Sequence, residues 1–425
     1  MDMTYRPRIA DIILKQKLDA MGAVLIEGAK ACGKTTTAAQ QAASILNMDD
    51  PRHVAQYLQM ADTDPALLLA GDTPRLIDEW QTAPKLWDAV RYVVDQRGAD
   101  GQFILTGSAV PADKSMIRHS GVGRFAWMTM RPMTLWESGE SNGAVSLGEL
   151  FDGKKDIGSH SEMTLTALAT ITCRGGWPRA VTRNGARAMA QAREYYEAIV
   201  RFDLSRSDGV SRNENTARRL LRSYARHQGT QASIATIRAD MMASDEYSVS
   251  DTTIETYLAA LRRLFVIEDM AAWNPNLRSK TAVRTADTRY FTDPSVAAAA
   301  LGIGPDDLIA DLATFGLLFE TLAVRDLRVY ADALGGDVFH YRDKTGLECD
   351  AVVHLRDGRY GLIEVKLGGD SLIAEGVRTL TTLSSKIDIN KMREPAFLMV
   401  LTGVAPYAYR RTDGVMVVPL STLTI

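Results

Sequence analysis

Several kinds of feature are scarce in this sequence of 425 residues, and each absence narrows the possibilities. There are only three cysteines, Cys32, Cys173 and Cys349, and an odd number at wide spacing argues against a disulfide framework or a cysteine-based zinc site. We therefore expect a reducing, cytoplasmic setting. No apolar run approaches the roughly 18 residues that span a bilayer, and the N-terminus has no uninterrupted apolar segment of the signal-peptide kind, so we expect no membrane partner.

An excess of charge of one sign is also lacking. The net charge is −3 and the pI is about 6.1, which gives no overall attraction to nucleic acid, so any such contact must come from a local patch. The hydrophobic share of 46% and the charged share of 24% are those of an ordinary globular protein. At this length we expect two to four domains.

A phosphate-binding pattern stands near the N-terminus. A short apolar run at 23–27 predicts a buried strand, and an Ala- and Gln-rich stretch at 36–46 predicts a helix. The sequence between them matches G-x4-G-K-[ST], which predicts a nucleotide-binding loop. The loop residues are Gly28, Ala29, Lys30, Ala31, Cys32, Gly33, Lys34, Thr35 and Thr36.

The chemistry of phosphate binding explains these residue types. The glycines let backbone N–H groups face the phosphates without a Cβ in the way, and the helix N-terminus adds partial positive charge. Lys34 is expected to reach the β and γ phosphates of ATP, and the Thr35 hydroxyl is expected to hold Mg²⁺.

Two carboxylates follow on a second predicted strand. The segment PRLIDEW places Asp78 and Glu79 at the end of an apolar run. Asp78 is expected to reach Mg²⁺ through water, and Glu79 to polarise the water that attacks the γ phosphate. A weak strand at 44–48 lies between the two motifs in sequence, which suggests a sheet with an extra strand separating them.

A third buried strand is predicted at 102–108. Thr106 and Ser108 stand at its C-terminal end, where open α/β sheets bind ligands. We expect one of these two hydroxyls to sense the γ phosphate, with the alternative that both merely satisfy a turn.

Taken together, these segments resemble the AAA-type ATPases, in particular a bacterial family of such ATPases that carries a C-terminal domain of unknown function. The resemblance is carried by GAKACGKTT, PRLIDEW, FILTGSA and GVGRFAWMTMRPMTLWE. In that family a Gly-Arg pair followed by a strand and a proline turn is similar to Gly123-Arg124 with Arg131-Pro132. The resemblance therefore implies that Arg124 touches phosphate, in its own subunit or in a neighbour's. Many AAA-type ATPases assemble into rings, so it also leaves a homo-oligomer open.

The middle of the chain has a winged-helix pattern. The glycine-rich stretch at 142–158 predicts a connection. Three helices are predicted at 216–227, 233–241 and 251–264, followed by two strands at 265–272 and 288–291. Between positions 212 and 289 there are 12 Arg and Lys against 9 Asp and Glu, a net of +3 that is weak for a phosphate contact. DNA binding and protein packing both stay open for this region.

The C-terminal region predicts a hairpin with charged residues on one face. A helix at 308–329 contains Glu320, and two strands at 347–355 and 360–367 are joined across Arg356-Asp357-Gly358. If that loop has three residues, Asp350 lies opposite Glu364. Alternation then places Asp350, His354, Glu364 and Lys366 on one face and the apolar residues on the other.

This arrangement resembles the PD-(D/E)XK nuclease superfamily. The pattern is Asp-x13-Glu-x-Lys, and Glu320 on the preceding helix is similar to the helical acidic residue of that fold. The resemblance implies that Asp350, Glu364 and Glu320 hold a metal and that Lys366 orients water or stabilises charge on the phosphorane. A nuclease fold that has lost its activity is the alternative.

The sequence thus predicts an α/β protein of four parts. They are a P-loop ATPase domain with a parallel sheet at 1–140, a helical linker at 141–210, a winged-helix domain at 211–305 and a restriction-endonuclease-like α/β domain at 306–425. We expect Mg²⁺-dependent ATP binding and hydrolysis coupled to action on or near DNA. The alternatives are a signalling or scaffold ATPase that binds protein partners, and a small-molecule kinase, which has no need for Glu79.

Overall fold

The computed structural model describes residues 5–107, 121–242, 248–276 and 283–425. The predicted Ser108 lies outside them. The chain divides into two compact units. The first comprises Met1–Pro132, Phe202–Arg212 and Ala259–Phe265, and the second comprises Met133–Arg201, Asn213–Leu258 and Val266–Ile425. The architecture is α/β with an N-terminal parallel sheet followed by helical and then sheet-rich regions, as the sequence predicts. Among the described residues, no helix is long and apolar enough to span a bilayer.

A five-stranded parallel sheet organises the first unit, with the strand order β2-β3-β4-β1-β5. Its strands are β1 (Ala23–Gly28), β2 (Ser44–Asn47), β3 (Arg75–Asp78), β4 (Phe103–Thr106) and β5 (Phe125–Met130). Its first helices are α1 (Ile9–Leu18), α2 (Lys34–Ala39), α3 (Val54–Thr63), α4 (Ala66–Leu69) and α5 (Leu86–Arg97). All four residues of β4 are buried, as expected of a parallel strand covered on both faces.

Two predictions for this sheet are wrong in detail. The helix after the phosphate loop ends at Ala39 rather than continuing to position 46, because residues 44–47 pair with β3 instead. That strand, β2, lies at the edge of the sheet. The strand that lies between β1 and β3 in the sheet is β4, which comes after both of them in sequence. The phosphate loop after β1 and the carboxylates at the end of β3 are therefore separated by β4, not by the strand at 44–47.

Short elements and then helices make up the middle of the chain. They are α6 (Leu135–Ser138), β6 (Val145–Ser146), α7 (Leu147–Phe151), β7 (Ser159–His160), α8 (Leu165–Arg174), α9 (Pro178–Val181), α10 (Ala186–Ala198), a π-helix (Ile199–Asp203), α11 (Leu204–Arg206), α12 (Glu214–Arg226), α13 (Ile234–Met242), α14 (Asp251–Arg263), α15 (Pro294–Leu301), α16 (Pro305–Ala310) and α17 (Leu312–Ala333).

The predicted wing consists of isolated bridges rather than regular strands. Ile267 pairs with Phe291 and Met270 with Thr288, both antiparallel and in one register. The three helices α12 to α14 precede them in the predicted order. The winged-helix assignment itself stays a prediction.

A seven-stranded sheet lies in the C-terminal part of the second unit, with the order β7-β12-β13-β11-β10-β9-β8. The remaining elements are β8 (Gly336–Arg342), β9 (Glu348–Leu355), β10 (Tyr360–Gly368), α18 (Asp370–Lys386), β11 (Phe397–Val404), β12 (Tyr407–Arg410), β13 (Met416–Pro419) and β14 (Leu423–Thr424). Strands β8, β9 and β10 are antiparallel, whereas β10, β11 and β13 are parallel, with α18 as the crossover between β10 and β11.

The predicted hairpin register is confirmed. Ile363 pairs with Ala351, which places Asp350 opposite Glu364. The N–H of Leu355 donates to the carbonyl of Arg359, so the loop between them has three residues, and Gly358 takes φ +87° within it.

Two other expectations need correction. The predicted helix at 308–329 is broken at Asp311, whose carboxylate accepts the N–H of Thr314 and caps the start of α17. The stretch at 142–158 is not a plain connection, because β6 within it pairs in parallel with β14 near the C-terminus.

Candidate functional site

The phosphate loop follows β1 and turns sharply into α2. Gly28 has φ +147°, and a Cβ on it would lie 2.1 Å from the carbonyl oxygen of Met130, so no other residue fits there. Ala31 and Gly33 also take positive φ, 62° and 106°, and Gly33 is the N-cap of α2. These left-handed positions turn the loop so that α2 begins directly at Lys34.

The side chain of Lys34 folds back onto carbonyl oxygens of the loop. Its Nζ donates to the carbonyl oxygens of Gly28 and Ala29 at 2.8 and 2.9 Å, and the residue is 7% exposed. The ammonium is therefore held at the turn of the loop beside the start of α2. Thr36 is exposed on the first turn of that helix, and Cys32 is buried with its thiol directed at the carbonyl of Met130.

Asp78 joins three predicted residues into one cluster. The Thr35 hydroxyl donates to Asp78 Oδ1 at 2.8 Å, and the Thr106 hydroxyl donates to the same oxygen. Thr35 belongs to the loop, Asp78 ends β3 and Thr106 ends β4, so three chain segments converge at the carboxyl edge of the sheet. Both partners of Asp78 are neutral hydroxyls, which leaves its negative charge uncompensated by these two bonds.

Glu79 follows Asp78 in a strained backbone conformation. Its φ and ψ are 53° and 45°, a left-handed region that costs a non-glycine residue of order 1 kcal/mol or more. The Gln81 side-chain N–H donates to Glu79 Oε2. Burial, with a smaller contribution from the charge of Asp78, raises the pKa of Glu79 above its ordinary value, although the bond from Gln81 opposes the shift.

Arg124 is placed away from this cluster. It immediately precedes β5, and its carbonyl accepts the N–H of Ala23 at the first residue of β1, whereas the loop follows the last residue of β1. At roughly 3.3 Å per residue, the six residues of β1 separate Arg124 from the loop by about 16–20 Å. The sheet therefore places Arg124 away from the loop of its own chain, and contact with phosphate in a neighbouring subunit stays a prediction. The side chain instead bonds Asp95 at 2.6 Å.

Three residues beside the loop were missed by the sequence analysis. Arg8 is 5% exposed and donates to the carbonyls of Cys32 and Arg131 at 3.0 and 2.9 Å, which supports the loop. Asp203 forms an ion pair with Lys30 at 2.5 Å. Gln81 holds Glu79. Gln81 could have been found in the sequence, because it stands two residues after Glu79. Arg8 and Asp203 lie outside any motif, so the sequence gives no signal for them.

The C-terminal residues predicted to act together do lie together. Lys366 Nζ is 2.8 Å from Glu364 Oε2 and 3.4 Å from Asp350 Oδ2. The N–H of Val365 donates to the same Asp350 oxygen at 2.8 Å. The antiparallel register of β9 and β10 brings the three charged side chains to one face of the sheet.

Lys366 lies between the two carboxylates and contributes one positive charge to the pair. Although burial lowers the pKa of Lys366, the charges of Asp350 and Glu364 more than offset this, and they raise the pKa above its usual value. Burial and the charge of Asp350 raise the pKa of Glu364. Glu364 Oε1 is buried and has no hydrogen-bond partner.

Glu320 does not complete a metal site with these residues. Its carboxylate accepts the hydroxyl of Tyr290. Burial, together with the charge of Asp350, raises the pKa of Glu320 to about 8. No group of three or more His, Cys, Asp or Glu in the described ranges is arranged to hold a metal ion. In this structure Tyr290 and Lys366 contact the carboxylates of Glu320, Asp350 and Glu364, and the role of these three residues as metal ligands stays a prediction.

Comparison with known proteins adds to this geometry. Residues 21–138 match the family model of the AAA domain, and this stretch contains the loop, Asp78, Glu79 and Thr106. The N-terminal region is thus similar to AAA-type P-loop domains. Residues 165–307 match a domain of unknown function, DUF8612, and residues 315–423 match another, DUF4143. The C-terminal domain that the resemblance implies is thus present.

Similar whole chains are also known. This chain is similar to an uncharacterized protein of Mycobacterium bovis and to an uncharacterized protein of Mycobacterium tuberculosis. Each is 24% identical over 420 residues, which covers 98% of this chain and 84% of the relative. Among solved structures, a Walker-type ATPase of Pyrococcus abyssi aligns with a TM-score of 0.41 and 12% identity over 70% of this chain and 97% of that chain.

Proposed function

We propose that this protein binds ATP in the loop from Gly28 to Thr36 and hydrolyses it. The observation that carries the proposal is the convergence of Thr35 and Thr106 on one oxygen of Asp78, with Thr35 Oγ1 at 2.8 Å. A loop threonine and a strand-end aspartate are the two side chains that P-loop enzymes bring together beside the phosphates. The two residues are 43 positions apart in sequence, and the fold brings them together.

The oxygen donors at this point fit a magnesium ion. Mg²⁺ prefers hard oxygen ligands such as a hydroxyl and a carboxylate. The Asp78 carboxylate accepts hydrogen bonds from the neutral hydroxyls of Thr35 and Thr106, so its negative charge is available to a cation. Thr35 and Asp78 would hold it, and a bound Mg²⁺ would neutralise charge on the phosphate oxygens.

The remaining residues supply binding and proton transfer. The N–H groups of the loop and of the first turn of α2 donate to the phosphates, and the Lys34 ammonium is within reach of the same phosphates. Glu79 accepts a proton from the attacking water at its carboxylate. The raised pKa of Glu79 makes it a stronger base than an ordinary glutamate, and Gln81 fixes its orientation through Oε2.

The experiment is phosphate release from Mg²⁺-ATP by the full chain, with and without DNA. Lys34→Ala serves as the binding variant, and affinity for the nucleotide is measured in parallel. We expect release by the wild type and a loss of both release and affinity in Lys34→Ala. Release that is equal in the two proteins would place hydrolysis outside this loop and overturn the proposal.

For the C-terminal region, the geometry favours partner binding over DNA cleavage. The ammonium of Lys366 stands between Asp350 and Glu364, where a divalent cation would have to bind, so these residues as arranged do not fit a metal. We infer that this region binds a protein partner rather than cutting DNA.

The same assay separates the two interpretations when the DNA is examined on a gel. Intact DNA and unchanged phosphate release support partner binding. DNA that is cut by the wild type but not by Asp350→Ala or Lys366→Ala would instead establish a nuclease. DNA-stimulated phosphate release without cleavage would place the action of the protein on DNA but outside the Lys366 cluster.

A further inference from the structure

An acidic side chain reaches the phosphate loop from a distant part of the sequence. Asp203 Oδ1 lies 2.5 Å from Lys30 Nζ. The Lys30 side chain is 43% exposed, whereas that of Asp203 is only 9% exposed. Both residues belong to the first unit, to which Phe202–Arg212 is assigned although it is separated by about 70 residues from the end of the N-terminal segment.

A carboxylate in this place opposes the chemistry of the loop. The loop binds anions through backbone N–H groups, the helix N-terminus and lysine, and a negative charge beside it lowers the affinity for a triphosphate. The Lys30 side chain connects Asp203 to the loop. It is partly exposed and belongs to the loop itself, so it is not confined to the ion pair with the carboxylate.

We propose that Asp203 competes with the nucleotide phosphates for Lys30. Without nucleotide, the ion pair ties the loop to the segment that carries Asp203. When phosphates bind, Lys30 turns toward them and Asp203 is released. Asp203 thereby sets the affinity for nucleotide and reports its presence. This inference rests on the proposed binding of ATP in the loop.

The segment that is released has a structure that suits a switch. Asp203 is the last residue of the π-helix Ile199–Asp203, and π-helical turns have a less favourable hydrogen-bond pattern than α-helical ones and occur often at functional sites. The boundary between the two units falls inside this helix, between Arg201 and Phe202. Loss of the ion pair would therefore free the π-helical turn in which the chain passes from one unit to the other.

The first test measures the affinity for ATPγS with Mg²⁺ by calorimetry. Asp203→Asn preserves the size of the side chain and removes its charge, and we expect about threefold to tenfold tighter binding. Lys30→Ala should weaken binding. Because competition requires Lys30, the gain from Asp203→Asn should be clearly smaller in the Lys30→Ala background than in the wild type.

Two controls accompany this cycle. Asp208→Asn removes a carboxylate from the same segment, where it is bonded to Arg212 and Arg263 rather than to the loop, and it should leave the affinity unchanged. Lys34→Ala reports on the loop itself. An equal gain from Asp203→Asn in both backgrounds, or no gain at all, overturns the competition.

Hydrogen exchange gives a second, independent measurement. Saturating ATPγS should speed amide exchange over residues 199–206 in the wild type, and in Asp203→Asn that exchange should already be fast without nucleotide. Unchanged or slower exchange on binding would overturn the release. If the wild type binds no ATPγS, the proposed function itself fails. If it binds while Asp203→Asn has no effect, only the competition fails.

Discussion

The nucleotide site and the C-terminal cluster both place carboxylates on buried strands beside a lysine, yet they differ in what the carboxylates contact. Asp78 is bonded by the hydroxyls of Thr35 and Thr106, which are neutral. Asp350 and Glu364 share the ammonium of Lys366. In the first arrangement the bonds to the carboxylate come from neutral groups, and in the second a lysine ammonium already lies between the two carboxylates. We therefore expect a metal ion to bind at the first and not at the second.

The largest effect should follow from Glu79→Gln at the nucleotide site. Gln keeps the shape of the side chain but cannot accept a proton, so the kcat for ATP hydrolysis should fall by about 10²–10⁴-fold while ATP affinity is kept. Phosphate release and calorimetry measure the two quantities. Glu149→Gln, an exposed glutamate paired with Lys154, is the matched control. A kcat that stays near the wild-type value would remove Glu79 from the proposed mechanism.

The C-terminal cluster should respond in stability rather than in turnover. Lys366→Met leaves Asp350 and Glu364 without their common counter-charge, and we expect the free energy of unfolding to fall by about 2–3 kcal/mol. Urea denaturation measures it. Lys386→Met is the matched control, because Lys386 forms a comparable pair with buried Asp343 at 3.1 Å.

The contrast between the two sites would be contradicted if Lys366→Met left the free energy of unfolding unchanged while Lys386→Met lowered it. That result would mean that Asp350 and Glu364 are not held by the lysine.

A smaller effect is expected at Asp343, a purely structural member of the same region. Although burial opposes the shift, bonds from Thr345 and Lys386 lower the pKa of Asp343 from 3.8 to about 2. Because the folded pKa lies below the unfolded one, the stabilisation is complete above about pH 4 and is lost as the pH falls toward 2.

This contribution amounts to about 1–2 kcal/mol. Unfolding of the wild type and of Asp343→Asn should be compared by urea denaturation between pH 2 and 7. The two stability curves should converge in acid, and curves that stay parallel would contradict the assignment.

The smallest predicted effect concerns Gln81. Its bond to Glu79 orients a base without touching the substrate, so Gln81→Leu should lower kcat about fivefold and leave the KM for ATP within about twofold. Steady-state phosphate release measures both constants. Gln59→Leu, on an exposed position of α3, is the control. A change confined to KM would mean that Gln81 contacts the nucleotide instead.

The sequence predicted those features that depend on local pattern. The loop from Gly28 to Thr36 needs glycines and a lysine at fixed spacing, so its pattern can be found in one segment. The pairing of Asp350 with Glu364 was predictable for the same reason, because a three-residue turn ending in Gly358 sets the register of the hairpin.

Errors arose where tertiary contacts prevail over local preference. The stretch after Thr36 is rich in good helix formers, but its second part pairs with β3 and becomes β2. For Arg124 the resemblance left its own subunit and a neighbour's open, and the sheet places this residue at the opposite end of β1 from the loop of its own chain. Strand β6 was missed because its partner, β14, is more than 270 residues away in sequence.

The sequence by itself determined that this protein has a phosphate-binding loop, two carboxylates after a buried strand and a charged hairpin, since each is encoded by neighbouring residues whose conformations depend on one another. Only the tertiary structure decided which side chains meet. It brought Thr35 and Thr106 to Asp78 and Asp203 to Lys30. The physical reason is that hydrogen bonds and ion pairs act over a few ångströms in space, whereas these partners are separated by many residues along the chain.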